Sequence, residues 1–255
     1  SYGDLLQHFT GSKEHNIAIR QMGVRNGLKI NEYGVFRGDD RIAGRTEAEV
    51  FDRVGLPFIV PELRENRGEI EAARLGKLPK LVTVEDIRGD LHVHTRDTDG
   101  RATVEEMVDA ARRQGYTYLA VTDHSQSMTV TRGLDGKRLE AQIDRIDALN
   151  ARLEGFRVLK GCEVDILEDG SLDLPDAVLA RLDLTVCSVH SRFGLPAARQ
   201  TERIIRAMDS PHCQILGHPT GRLVNERAPY EVDMEKVIDA ARARGCCLEL
   251  NANPD

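Results

Sequence analysis

No stretch of this chain is apolar for long enough to cross a bilayer, and none has the charged start and short apolar run of a secretory leader. The chain is therefore expected to be cytoplasmic, with no membrane partner. Cysteine is sparse and lacks pattern: there are five residues, an odd number, without the CxxC spacing of a zinc knuckle or redox site. Cys162, Cys187, Cys213 and Cys247 lie in or beside apolar runs and read as buried free thiols. Cys246 and Cys247 are neighbours, a spacing unsuited to a bridge between them. Positive charge is not in excess either. A net charge of −7 argues against a protein that coats nucleic acid non-specifically. It leaves room for an enzyme whose site neutralises phosphate with metal ions, because a cluster of carboxylates and histidines is acidic only until its metals arrive.

With 255 residues, 40% of them apolar, the chain can hold one large domain, or a small one and a medium one. Two segments differ in character. Residues 1–79 are irregular in pattern. They include a short helical candidate over Asn16–Met22 and a strand candidate over Leu28–Phe36. A second helix begins at Thr46, with Glu49 three residues on as a capping box. Gly55–Pro61 stops that helix, and the charged run from Glu62 is expected to be helical as far as Gly76. From residue 80 to 255 strands and helices alternate. Strand candidates are Asp90–Val93, Tyr118–Thr122, Arg157–Cys162, Leu184–Val189, Gln214–Gly217 and Cys246–Asn251. Helix candidates between them are Thr103–Gln114, Gly136–Arg152, Pro175–Arg181, Ala197–Met208 and Asp233–Arg244. Such alternation implies a parallel sheet with helices outside it.

The residues that carry chemistry fall where the apolar runs end. His92 and His94 are two apart on a strand, so their imidazoles share one face. Asp99 follows in an Asp-Gly turn. His124 follows Tyr118–Asp123, Glu163 follows Arg157–Cys162, His190 follows Leu184–Val189, and His218 follows Cys213–Gly217. In a parallel α/β barrel functional side chains gather at the carboxyl ends of the strands. His8, His15 and His212 follow no such run and receive no metal role. Nitrogen and carboxylate ligands without thiolates suit Zn²⁺, Mn²⁺ or Fe²⁺. Five histidines, one glutamate and one aspartate are too many for one tetrahedral ion. A site with several metals follows, with Glu163 as the natural bridge. Closely spaced metals bind phosphoryl oxygens, lower the pKa of a shared water and stabilise a leaving oxygen, which suits phosphoester hydrolysis.

At these residues the chain resembles the polymerase-and-histidinol-phosphatase (PHP) superfamily. The motifs are Asp90-Leu91-His92-Val93-His94 with Asp99-Gly100, then Thr122-Asp123-His124, Gly161-Cys162-Glu163-Val164-Asp165, Ser188-Val189-His190-Ser191 and Gly217-His218-Pro219. The resemblance implies a distorted (β/α)7 TIM-like barrel, hence an α/β fold, and three divalent metal ions, Mn²⁺ and/or Zn²⁺. Carried over, the first metal would take His92, His94 and Glu163. The second would share Glu163 and add His190 and His218, and the third would take Asp99 and His124. Glu163 and His190 would act in hydrolysis, and Arg222 would bind the phosphate. Arg192 and Arg227 read as surface arginines. Asp123 is expected either to orient His124 or to end its strand, and Asp165 to be structural. The family pattern closes with an Asp-x-His, whereas this sequence ends at Asn253-Pro254-Asp255, so the barrel is expected to be incomplete at its carboxyl end.

Residues 1–79 add a second resemblance. His8-Phe9-Thr10-Gly11-Ser12 followed by Asn16 is similar to the nucleotide-binding motif of family X DNA polymerases, and Ile30–Gly34 to the strand that follows in their thumb. This segment is thus expected to be the end of a palm and a small α+β thumb. Phe9, Thr10, Gly11 and Asn16 would be the nucleotide-binding residues, with Phe9 on the sugar and Asn16 at the base. His8 stands where many members have Tyr. No Asp-x-Asp for the polymerase metals (Mg²⁺ or Mn²⁺) occurs in residues 1–80, so the chain is expected to be a fragment that does not polymerise by itself.

The resemblance implies a DNA repair polymerase whose PHP domain is a 3′–5′ exonuclease, with processing of abasic sites or 3′-phosphates in some members. Its partners would be gapped or primer-template DNA with 3′ ends, and dNTP in the full-length protein. Two alternatives stand beside it. One is a small-molecule phosphatase of the histidinol-phosphatase type, and the other is an inactive module that positions DNA.

Overall fold

The structure, a computed structural model, describes residues 2–251. Asn253-Pro254-Asp255, where the sequence reading places the break in the family pattern, lies outside the described residues. Two compact units divide at Val82 and Thr83.

The first unit opens with α1 (Tyr2–Phe9) and α2 (Lys13–Arg25). Ser12 caps α2 by accepting the His15 N–H at 3.1 Å. The helix candidate over Asn16–Met22 lies inside α2. Helix α1 gave no apolar period because its buried face is Gly3, Asp4 and Gln7. The single strand expected over Leu28–Phe36 is instead a hairpin, β1 (Lys29–Asn31) and β2 (Gly34–Arg37), extended by β3 (Asp40–Ala43). The cause is local. Asn31 Oδ1 accepts the Tyr33 N–H at 2.9 Å and tightens a two-residue turn, which sets Ile30 directly opposite Val35. Helix α3 (Glu47–Arg53) is capped by Thr46, as expected. The Glu49 carboxylate, however, accepts from the Gly44 and Arg45 N–H groups and not from Thr46. The helix expected from Glu62 to Gly76 shrinks to α4 (Glu69–Arg74), because Asn66 and Gly68 take positive φ and interrupt it. Ile19, Phe51 and Ile59 are fully buried in the core of this unit. Each such burial stabilises by roughly 1.5–3 kcal/mol.

The second unit is a six-stranded parallel sheet in sequential order. Its elements are β4 (Gly89–Val93), α5 (Val104–Arg113), β5 (Tyr118–Val121), α6 (Gly136–Asn150), β6 (Arg157–Asp165), α7 (Asp176–Leu179), β7 (Leu184–Ser188), α8 (Ala197–Ala207), β8 (Ile215–Leu216), α9 (Met234–Arg244) and β9 (Cys247–Leu248). Helix α5 starts in a reciprocal Thr103–Glu106 capping box. Helix α9 stops at Gly245, whose φ of 71° suits a residue without Cβ. Strand β6 runs on past Cys162, where the sequence reading ended it. Residues 157–160 pair with β5, and residues 161–165 pair with β7. Cys162 and Val164 point into the core shared with Ile143, Ile204 and Leu216. Glu163 and Asp165 therefore point to the opposite face. Cys162, Cys187, Cys213 and Cys246 are buried free thiols; Cys247, expected to be buried, is exposed on the edge strand β9.

The sheet curls. In a flat sheet the two outer strands would stand about 24 Å apart, five spacings of about 4.8 Å. Here His92 Nδ1, on β4, donates to Glu249 Oε1, one residue past β9, at 2.6 Å. The side chains at the carboxyl end are thus drawn into one mouth, as in a distorted TIM-like barrel.

Candidate metal centre

Glu163 is the hub of this mouth. Its side chain is only 1% exposed. Oε1 lies 2.8 Å from His218 Nε2, 3.1 Å from His190 Nε2 and 3.4 Å from His92 Nε2. Oε2 lies 2.9 Å from His124 Nδ1 and 3.4 Å from His94 Nε2. Asp99 stands 3.4 Å from both His94 Nδ1 and His124 Nε2. The groups arrive from five successive strands. His92 lies within β4 and His94 just beyond it. His124, His190 and His218 follow β5, β7 and β8, while Glu163 lies inside β6.

Three clusters result, each with donor atoms within 4.8 Å of one another: His92, His94 and Glu163; His94, Asp99 and His124; and His124, Glu163 and His190. This division differs from the expected one. His94 joins Asp99 and His124, and His124 takes the place expected for His218 beside Glu163 and His190. His218 still touches the shared Glu163 oxygen. It does so from a strained backbone, φ 24°, held by its N–H donating to Glu249 Oε2 at 2.5 Å.

A second layer orients the imidazoles. His92 Nδ1 donates to Glu249, and His190 Nδ1 donates to Asp165. Carboxylates placed behind imidazoles in this way fix the tautomer and ring direction of metal-binding histidines. Asp165, expected to be only structural, therefore orients His190. Asp123 does neither thing expected of it. Its carboxylate accepts from Thr95 N (2.7 Å), Thr95 Oγ1 (2.6 Å), Thr98 Oγ1 and Gln142 Nε2 (2.7 Å). It anchors the turn that carries Asp99. Glu249 escaped the sequence reading altogether. The signal was there: an acidic residue directly after Cys246-Cys247-Leu248, the kind of position that marks His124, Glu163, His190 and His218.

The electrostatics are those of a buried anion among imidazoles. Burial opposes the Glu163 charge, yet hydrogen bonds from His124, His190, His218 and His92 hold its pKa well below the ordinary carboxylate range. Burial likewise disfavours charge on His92, but Glu163 and Glu249 push its pKa up to about 10. His190 is raised to about 9, with burial overcome by Asp165 and Glu163. At His94 burial prevails and the pKa falls. The Nδ1 atom of His94 is buried, with Asp99 3.4 Å away and no hydrogen-bond partner among the described residues. A buried polar atom left in this way is costly unless something binds it. Imidazole nitrogens and carboxylate oxygens without a thiolate fit a borderline divalent cation, so these residues fit a metal. The nearest thiol, that of Cys162, faces away and donates to the Asp123 carbonyl.

The three arginines separate. Arg222 is exposed and forms no hydrogen bond or ion pair among the described residues. Arg192 pairs with Glu168 at 3.0 Å. Arg227 donates to the Gly221 carbonyl at 2.8 Å and lies 4.2 Å over the Phe193 ring, so it braces the loop after His218.

In the first unit the expected nucleotide-binding residues sit at the α1–α2 turn. The Phe9 ring is exposed and packs edge-on to His8. Thr10 accepts from the buried Arg64, and Gly11 lies so close that a Cβ would stand 2.3 Å from Arg64 Cβ. The Asn16 amide is engaged locally, with Gln7 at 2.9 Å and the His8 carbonyl at 3.1 Å.

Comparison with known proteins agrees with this geometry. Residues 90–253 match the PHP domain, and residues 5–65 match the DNA polymerase beta thumb. The chain belongs to the PHP family, in the thumb-plus-PHP arrangement of the family X DNA polymerases. The DNA polymerase/3′-5′ exonuclease PolX of Bacillus subtilis (strain 168) is 45% identical over 251 residues, which are 98% of this chain and 44% of PolX. Proteins described as probable phosphatases, from Thermoanaerobacter sp. (strain X514) and Caldanaerobacter subterraneus subsp. tengcongensis, are 32% and 31% identical over 167 and 168 residues. Those matches cover 64% of this chain, and 63% and 61% of the two proteins. The chain thus spans less than half the length of PolX. Among the described residues no helix is long and apolar enough to cross a membrane.

Proposed function

We propose that this chain is part of a DNA repair polymerase of family X, and that its PHP unit removes nucleotides from DNA 3′ ends as a metal-dependent 3′–5′ exonuclease. The observation that carries the reading is the convergence of five imidazoles on Glu163. Divalent cations, Mn²⁺ and/or Zn²⁺, would supply charge stabilisation at the phosphoryl oxygens and an acidified water. They would be held by His92, His94, Asp99, His124, Glu163, His190 and His218. Glu163 contributes an oxygen to two of the clusters and would be shared between the cations they hold. Asp165 and Glu249 keep His190 and His92 aimed inward. Arg222, with its guanidinium unspent, would receive the scissile phosphate. On the thumb, the exposed Phe9 ring would support the sugar of a dNTP, with Thr10, Gly11 and Asn16 shaping the turn beneath it. Processing of abasic sites and 3′-phosphates would use the same centre.

A second reading, a small-molecule phosphatase, is favoured by the relatives described as probable phosphatases, whose matches cover 64% of this chain. The two part in one experiment. The Mn²⁺-loaded chain is offered 3′-recessed DNA labelled at its end, and separately histidinol phosphate. Release of labelled nucleotides by the wild type and not by Glu163→Gln is the expected result. Rapid hydrolysis of histidinol phosphate with intact DNA would overturn the exonuclease in favour of the phosphatase.

A further inference from the structure

Two arginines behind Asp99 have no part in the centre described above. Arg132 Nη2 donates to the Thr98 carbonyl at 2.7 Å and to the Arg96 carbonyl at 3.3 Å. Arg138 donates through Nη2 to the Asp97 carbonyl at 3.0 Å, and through Nη1 to the carbonyls of Arg132 and Gly133 at 2.6 and 3.0 Å. Both side chains belong to exposed residues. Neither forms an ion pair among the described residues, unlike Arg145 with Asp97 or Arg181 with Asp144.

Carbonyl partners matter here. They hold a guanidinium in place without cancelling its charge, whereas a carboxylate would do both. Of the five N–H groups each guanidinium carries, Arg132 spends two on these carbonyls and Arg138 three. The rest can receive an oxyanion, in the planar fork that suits phosphate. The backbone is built for the placement. Arg132 sits in the left-handed region, φ 60° and ψ 39°, where a long side chain is unfavourable. Gly133 follows so close to the Ser125 carbonyl that a Cβ would stand 1.9 Å from its oxygen.

We propose that Arg132 and Arg138 clamp the phosphate next along a DNA strand from the scissile one, so that the unit prefers polynucleotide ends to phosphate monoesters. This rests on the exonuclease reading and deepens it. The two side chains touch none of the seven residues around the metal centre, so the phosphate they hold is a second one. A monoester has no second phosphate and gains nothing from them.

The test uses the Mn²⁺-loaded full chain, with a single-stranded oligonucleotide labelled at its 3′ end and p-nitrophenyl phosphate as substrates. Arg132→Gln and Arg138→Gln remove the charge and keep an amide donor for the carbonyls; thermal melting checks that they fold. In the double variant KM for the oligonucleotide rises about tenfold, and the dependence of binding on log salt becomes shallower by about one unit. Turnover of p-nitrophenyl phosphate stays within about twofold, and Arg132→Lys, which keeps the charge without the fork, loses less than Arg132→Gln but does not match the wild type. Binding of the oligonucleotide to metal-free protein, followed by fluorescence anisotropy, weakens in parallel. Equal losses on both substrates would mean a disturbed Asp99 loop and overturn the clamp. Wild type that cuts the oligonucleotide with variants that match it overturns the clamp alone. Wild type that hydrolyses the monoester but neither binds nor cuts the oligonucleotide overturns the exonuclease reading, and the clamp with it.

Discussion

Glu249 accepts a hydrogen bond from His92 at 2.6 Å and another from the His218 backbone at 2.5 Å. One carboxylate just past the last strand of the sheet thus fixes the His92 ring on its first strand and the strained backbone of His218. Its own pKa is lowered, with burial outweighed by His92 and the His218 N–H.

Glu249→Ala is expected to lower metal affinity by about 10–100-fold, the usual effect of removing an orienting carboxylate. It should also lower the unfolding free energy by about 1–3 kcal/mol, because the His218 N–H and His92 lose their acceptor. Equilibrium dialysis with elemental analysis, and urea unfolding, measure the two. Unchanged metal binding would show that closure of the sheet does not depend on this contact.

Glu163→Gln removes the negative charge that all five imidazoles face. Bound metal per chain is expected to fall below that of the wild type, and phosphoester hydrolysis should fall with it. Equal metal content in the two proteins would remove Glu163 from its bridging role.

Asp165→Asn keeps the shape and removes the charge behind His190. A loss of about 10–100-fold in metal affinity is expected, with melting temperature nearly unchanged. If the loss instead follows a large drop in melting temperature, Asp165 acts on the fold and not on His190.

The thumb carries its own acid sensitivity. Buried His15 Nδ1 lies 2.6 Å from Glu69 Oε1, and the Asn66 and Arg67 N–H groups also donate to this carboxylate, at 2.9 and 2.7 Å. Burial raises the Glu69 pKa, but these partners outweigh it and hold the group below its ordinary 4.5. A depressed carboxylate pKa adds stability above the unfolded value, and that stability is lost as pH falls through the folded value. Glu69→Gln is therefore expected to cost about 1–3 kcal/mol near neutral pH, with the gap closing below about pH 4. Thermal unfolding across that range measures it; a gap independent of pH would sink the assignment.

How much of this was legible follows from what sets each feature. The strand–helix alternation from Asp90 onward is a hydrophobic pattern, so it could be read directly. His92, His94, His124, His190 and His218 were visible because each closes an apolar run. Helix α1 was not, because it buries Asp4 and Gln7, and a polar buried face leaves no apolar period. The hairpin at Glu32-Tyr33 was hidden because its arms are three and four residues long and the turn depends on the Asn31 side chain. The partnerships of Asp165 with His190 and of Asp123 with Thr95 depend on which strands become neighbours, information that no single run contains.

Strand β6 alternates Cys162, Glu163, Val164 and Asp165, and its two halves pair with different neighbours. A slip of one position would therefore send two acidic groups into greasy surroundings and turn a thiol toward the candidate metal centre. Misregistered molecules would lose both core packing and the acidic hub of the metal centre, so metal binding would double as a measure of correct folding.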